Sequence, residues 1–309
     1  MYMNRPTVEV IIPTYRPGEQ LIELVRRLEK QTCPPDSIHI MDTRSSVFPD
    51  NLSGESSKLR ITRIEREAFN HGGTRALAAD MSFADVLIYM TQDAMPANAG
   101  MIENLLKAFE KEKIGVAYAR QLPAKNCNLT ERYIRSFNYP RKSMIKSSED
   151  IPKLGIKTYF CSNVCAAYRK DIYDSLGGFE EKTIFNEDMI LAGKIIQSGY
   201  RIAYVADAEV IHSHNYNCRQ QFHRNFDLAV SQAEHPEIFE GIRSEDEGIK
   251  MVKSTLLYLI KSHRAWMIIP FLFQSTAKYM GYRMGRNFRK LPRWLIKRCT
   301  MSPYYWEVP

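Results

Sequence analysis

The sequence predicts an α/β fold: a Rossmann-like, mostly parallel sheet with flanking helices, followed by a helical C-terminal region. Three observations carry this. Short β-branched runs alternate with helical apolar faces from Thr7 to Ala119, the rhythm loosens after Asn126, and beyond about Gln220 the pattern is mostly helical. Strand-helix alternation of this kind builds parallel sheets covered by helices, because parallel neighbours need a crossover between them. In such sheets ligands bind outside the carboxyl ends of the strands.

Each element has its own reason. Thr7–Pro13 is rich in β-branched residues and reads as a strand. Leu21, Ile22, Leu24, Val25 and Leu28 share one helical face, and the helix is expected to end near Thr32, before Pro34–Pro35. Ser37–Met41 and the alternating Leu59–Ile64 read as strands, and Gly73–Met81 as a helix. Val86–Met90 is an apolar run suited to a buried strand, followed by a helix over Ile102–Phe109 and a strand over Ile114–Ala119. Later segments are shorter: strands at Cys165–Tyr168, Arg201–Val205 and Glu209–Ile211, and a helix over Met189–Gln197. A boundary near 235 divides a catalytic unit, 1–235, from a helical basic region, 236–309.

With 309 residues, 44% apolar and 25% charged, the chain holds one large domain or a domain with an appendage. Six cysteines without regular pairing, behind an N-terminus that lacks an export pattern, lead us to expect free thiols in a reducing compartment. Cys161 and Cys165 are the close pair, with no second pair at zinc spacing. The net charge of +8 is local: residues 276–298 hold eight basic side chains and no acidic ones. This disfavours general nucleic-acid binding and favours a local anionic partner.

Five motifs can carry chemistry. Asp93, in Thr91-Gln92-Asp93-Ala94, follows an apolar strand and can hold a hard divalent cation, or sit in an ordinary turn before Pro96. Asp42 can bond a nucleobase or ribose, or form a turn with Thr43 and Ser45. Asn186-Glu187-Asp188 opens a helix, where a carboxylate serves as general base or as a capping charge. His212 and His214 face one side of an extended chain and can ligate a metal or bind phosphate. In Phe69-Asn70-His71-Gly72-Gly73-Thr74-Arg75, exposed backbone N–H groups and Arg75 suit a phosphate, although a plain glycine loop fits equally.

The order of these motifs, from Pro13-Thr14-Tyr15 through to His212-Ser213-His214, resembles the family 2 glycosyltransferases of GT-A fold, over roughly residues 7–230. Within that family, FNHGGTR and TQDAMP look like bacterial rhamnosyltransferases of cell-wall or capsular polysaccharide synthesis. The resemblance implies an inverting transfer of a sugar, L-rhamnose from dTDP-rhamnose, onto a hydroxyl of a lipid-linked or growing polysaccharide acceptor. Pro13, Thr14 and Tyr15 would line the nucleotide pocket, and Asp42 would contact the base. Arg75, Gln92, Glu187 and Arg224 would serve substrate binding, with Asp188 as catalytic base. Asp93 and His212 would hold Mn²⁺ or Mg²⁺. The family's Asp-x-Asp motif reads Gln92-Asp93-Ala94 here, so one carboxylate is missing. Gln221 and Arg224 match Gln-x-x-Arg-Trp of processive relatives, with Asn225 in place of Trp.

The basic C-terminal stretch interleaves Trp266, Tyr279, Tyr282, Phe288 and Trp294, a mixture suited to an anionic membrane surface or to a subunit interface in a homo-oligomer. The longest apolar run there, Ala265–Phe273, is too short to span a bilayer. The expected location is cytoplasmic, at the inner face of the cell membrane. A nucleotidyltransferase is the alternative enzyme, but it needs a Gly-rich basic loop where Pro13-Thr14-Tyr15-Arg16-Pro17-Gly18 stands. A non-catalytic carbohydrate- or membrane-binding scaffold is the other alternative.

Overall fold

The structure, a computed structural model, describes residues 5–49, 51–242 and 245–307. Met1–Asn4, the start of the stretch read for an export signal, lie outside the described residues. Among the described residues the strands are β1 (Val8–Tyr15), β2 (Ser37–Thr43), β3 (Leu59–Ile64), β4 (Val86–Met90), β5 (Met95–Pro96), β6 (Ile114–Leu122), β7 (Met144–Lys146), β8 (Cys165–Arg169) and β9 (Arg201–Ile211). The helices are α1 (Gln20–Glu29), α2 (His71–Asp80), α3 (Met101–Ala108), α4 (Leu129–Asn138), α5 (Ile151–Leu154), α6 (Lys170–Ser175), α7 (Glu187–Gln197), α8 (Cys218–Glu234), α9 (Pro236–Phe239), α10 (Glu245–Lys261), α11 (Ile268–Arg286) and α12 (Arg293–Cys299).

The strands form one sheet in the order β3-β2-β1-β4-β8-β6-β9-β5, with β7 on β9. The half holding β1 to β4 is parallel, as is the β6–β9 pair. Between them β8 runs antiparallel to both β4 and β6. Side chains alternate across the sheet with period two. Val86, Ile88 and Met90 enter one core with α1 and α3, while Leu87 and Tyr89 enter the other with α2 and α7. Both faces are covered, which is why β4 reads as an unbroken apolar run.

Two expected short strands, 201–205 and 209–211, are in fact the single strand β9. Its pairing with β6 jumps from Ala119↔Val205 to Arg120↔Glu209, so residues 206–208 leave the ladder and the alternation breaks there. α4 and β7 lie in the stretch after Asn126 that offered no regular pattern.

The C-terminal helices dock on α8. A Cβ added to Gly281 would lie 2.2 Å from the Phe222 carbonyl oxygen, and one on Gly285 would lie 2.3 Å from that of Phe226. Glycine at both positions lets the α8 and α11 backbones touch. Asp227, on the same helix, accepts the Met301 amide at 2.8 Å and pins the segment after α12. Burial pushes its carboxyl up to about 7. No described helix is long and apolar enough to cross a membrane.

Candidate metal, nucleotide and base site

The parallel strands β1, β2 and β4 end side by side, and their last residues form one edge of the site. Thr14 and Asp42 are opposite each other in the β1–β2 register, and the Thr14 hydroxyl donates to Asp42 Oδ1 at 2.9 Å. Both are buried, and burial raises the Asp42 pKa. Pro13 is half-buried beneath them. The Gln92 carboxamide is engaged on both sides: it accepts from Tyr15 N–H at 2.8 Å and donates to Tyr15 C=O at 3.1 Å. It thereby fixes the backbone that carries the exposed Tyr15 ring. The guanidinium carbons of Arg16 and Arg66 each lie 5.8 Å from that ring's centre, and Arg66 also lies 5.2 Å from the ring of Tyr304. These arginines escaped notice in the sequence because nothing local marks them.

The second group is set by register. β5 pairs antiparallel with the end of β9, Met95 against Ile211 and Pro96 against Val210. Asp93 stands in the Thr91–Ala94 turn just before β5, and His212 and His214 follow the end of β9, so the pairing brings that turn beside the two histidines. Asp93 Oδ2 lies 3.4 Å from His212 Nε2 and 3.2 Å from His214 Nε2, and one ligand atom from each residue falls within 4.8 Å of the others. Two donors at right angles on a cation with ~2.1 Å bonds stand about 3 Å apart, so the set fits one divalent ion. His214 thus joins the expected pair and supplies a donor where the second carboxylate of Asp-x-Asp is missing. Burial would raise the Asp93 carboxyl, but hydrogen bonds to His212 and His214 hold it far below the usual range. Burial pushes the His212 pKa down despite Asp93, favouring the neutral ring that ligates metals. His214 stacks on Tyr216 with ring centres 4.9 Å apart, and the Arg224 guanidinium lies 5.7 Å from the Tyr216 ring and 4.6 Å from that of Phe185.

The third group opens α7. Asn186 has φ 62°, a left-handed turn that swings the chain into the helix and is tolerated by asparagine. Glu187 and Asp188 follow. Asp188 accepts from Met189 N–H at 2.8 Å and Asn163 N–H at 3.1 Å. Burial, reinforced by the Glu187 charge, pushes its carboxyl up to about 7. Glu187 differs in environment: Arg75 Nη1 stands 3.3 Å away, and Asn163 Nδ2 donates to it at 3.2 Å. Burial alone would raise Glu187, but Arg75, His71 and Asn163 hold it below its ordinary value. Neighbouring carboxyls driven in opposite directions are the pattern of one fixed charge beside one group able to move a proton.

Arg75 is spent in that pair, and it also donates to the His71 carbonyl at 2.8 Å. It is 6% exposed, so its guanidinium is not presented to solvent for a phosphate. Gly72 serves close packing: a Cβ there would lie 1.7 Å from the Glu180 carbonyl oxygen.

The sequence profile of glycosyl transferase family 2 matches residues 9–177, from β1 to just past α6. The chain belongs to that family. As a family 2 glycosyltransferase it is 41% identical, over 97% of its length and 96% of the relative's, to the O-antigen chain rhamnosyltransferase RfbN of Salmonella typhimurium. It is 39% identical to the O-antigen chain rhamnosyltransferase WbaN of Salmonella anatum, over 98% of this chain and 96% of that one. Among solved structures, the mannosyltransferase PcManGT of Pyrobaculum calidifontis, in complex with GDP-Man and Mn²⁺, superposes with a TM-score of 0.61 at 15% identity, covering 93% of this chain and 87% of that one. TarS 1-349 of S. aureus gives 0.53 at 14% identity, over 92% and 91%. These likenesses establish a GT-A fold. The Asp-x-Asp departure noted in the sequence therefore occurs within a family 2 enzyme.

Removing one partner of a buried ion pair strands the other charge, at a cost of about 3–5 kcal/mol. Arg75→Met is expected to lower thermal stability by that order. Adding Glu187→Gln to the same chain should recover much of the loss in a calorimetric scan. A double variant no more stable than Arg75→Met would show that Glu187 does not depend on Arg75.

Proposed function

We propose that this enzyme transfers L-rhamnose from dTDP-rhamnose to a hydroxyl of a lipid-linked or growing polysaccharide, with inversion at the sugar carbon. The observation that carries the donor sugar is the 41% identity to an O-antigen chain rhamnosyltransferase across 97% of the chain. The site fits that chemistry. Tyr15 and Asp42 flank the nucleotide, and Arg16, Arg66 and Arg224 surround the path of its diphosphate. The cation-ligand set of Asp93, His212 and His214 faces the same edge. A bound divalent ion there supplies charge neutralisation for the departing nucleoside diphosphate. Two imidazoles and a single carboxylate suit Mn²⁺ better than Mg²⁺, which prefers oxygen ligands. Asp188 takes the proton of the acceptor hydroxyl as that oxygen attacks, and Asn163 N–H keeps the carboxylate oriented. Residues 1–235 form the catalytic unit, and residues 236–309 form the surface-facing region.

A membrane role for that region is supported by the outer side of α11. Ile269, Leu272, Phe273, Tyr279 and Met280 recur at helical spacing and are exposed, with Trp266 just before them. Exposed Arg286, Arg289 and Lys290 follow. An amphipathic face with basic residues beside it binds anionic bilayers from one side, which places a lipid-linked acceptor beside the enzyme.

Three measurements test this reading. In a thermal-shift screen, dTDP-rhamnose with Mn²⁺ should stabilise the protein more than UDP- or GDP-sugars, and more than dTDP-rhamnose with Mg²⁺; a preference for another donor overturns the sugar assignment. For the base, deprotonated Asp188 is the active form, so kcat/KM should fall as pH drops through about 7, well above the ordinary carboxylate range. Asp188→Asn should abolish that limb and lower kcat by ~10²–10⁴-fold with donor affinity intact by calorimetry. Full transfer in this variant removes Asp188 from the role. Finally, the protein should float with anionic but not neutral liposomes, and Phe273→Asp/Tyr279→Asp should remain in the pellet. Equal flotation of both proteins refutes the α11 surface.

A further inference from the structure

We propose that Gln121 is a positioning residue that fixes the His212 imidazole with its proton on Nδ1 and its Nε2 lone pair turned toward the cation site. This rests on the reading of Asp93, His212 and His214 as that site.

Gln121 stands on β6, and its place beside His212 follows from the parallel ladder. Gln121 pairs with Val210, Leu122 pairs with Ile211, and His212 N–H donates to the Leu122 carbonyl at 2.9 Å. Its Oε1 lies 3.2 Å from His212 Nδ1. Oxygen and nitrogen of a carboxamide are told apart by their partners, and here the partner is decisive. Arg135 Nη1 donates to the same Oε1, and a guanidinium has no acceptor to offer. A flipped amide would set NH₂ against guanidinium. Arg135 is itself held by Glu131 at 2.7 Å, and the other end of the amide donates to Ser162 Oγ at 3.0 Å. Gln121 is 3% exposed and His212 8%, so neither turns out to water.

His212 therefore meets an acceptor at each ring nitrogen: Gln121 Oε1 at Nδ1 and Asp93 Oδ2, 3.4 Å away, at Nε2. A neutral imidazole has one N–H. With the proton given to Gln121, Nε2 presents a lone pair toward a carboxylate, an arrangement that becomes favourable with a cation between them. Partners behind a ligating histidine commonly set its tautomer and orientation in this way. Ser162 precedes Asn163, whose N–H binds Asp188, so the amide also braces the segment that orients the base.

The test uses full-length protein without donor. Gln121→Met keeps length and removes the acceptor; Gln121→Glu keeps an acceptor facing both Arg135 and Nδ1. Mn²⁺ titration by electron paramagnetic resonance should give a dissociation constant raised on the order of 10–100-fold in Gln121→Met and close to wild type in Gln121→Glu. Transfer by Gln121→Met should recover as Mn²⁺ is raised to saturation. A second readout needs no metal: long-range ¹⁵N NMR of labelled histidine should show a larger share of His212 protonated on Nδ1 in wild type than in Gln121→Met. Unchanged Mn²⁺ affinity and tautomer in Gln121→Met overturns the inference, as does an equal loss in both variants, which marks Gln121 as mere packing. Wild-type protein that binds no Mn²⁺ overturns the metal reading instead, and the NMR tautomer then decides Gln121 separately.

Discussion

Met95 and Pro96 make the shortest strand in the sheet, and the reactive edge depends on their pairing with Val210 and Ile211. Asp93 and His212 are more than a hundred residues apart in the chain. Only this ladder brings them within bonding distance. The same strand, β9, lies parallel to β6 and so delivers Gln121 to the far side of His212. One strand end thus organises the carboxylate and second imidazole in front of the ring and the amide behind it.

Around that edge the protein keeps several ionisable groups out of water and treats them unequally. Glu187 has Arg75 and Asn163 as partners and stays charged. Asp188, next in sequence, has two backbone N–H groups and no cation in contact, and burial carries it to about 7. One amide, Met189 N–H, comes from the first turn of α7, where the helix dipole favours negative charge, and the other, Asn163 N–H, comes from the segment before β8. Desolvation on this scale lowers stability, and the arrangement survives because the surrounding core is dense on both faces of the sheet.

Local pattern made much of this legible. β1, β2, β3 and β4 and the helix α3 fall within two residues of where periodicity sets them, since each buries one stripe or two faces in a regular way, while α1 ends at Glu29, three residues before Thr32. Asp42, Asp93, Asp188 and His212 stand out locally as candidates, because each is a carboxylate or imidazole at or just past the end of a strand, or at the start of a helix. What the residues alone could not reveal was pairing across distance. The antiparallel insertion of β8 between β4 and β6 looks locally like any short apolar strand. Nothing local to Arg75 announces Glu187 beside it, and nothing local to Gln92 announces that its amide meets the Tyr15 backbone. Gln121 and Asn163 carry no signal of their own, because an amide acts through whatever lies at its two ends. The α4 and β7 segments went unread for a related reason: α4 gains its definition from packing against α10, far along the chain.

The glycines of α11 have a mechanical consequence. With Gly281 and Gly285 against the carbonyls of Phe222 and Phe226, no layer of side chains cushions the contact with α8. Close-packed interiors of this kind compress very little, so the two helices respond to a load as one stiff beam. α8 carries Arg224 at its inner side, while α11 turns Phe273 and Tyr279 outward. A displacement of α11 is therefore shared by α8, the helix that carries Arg224.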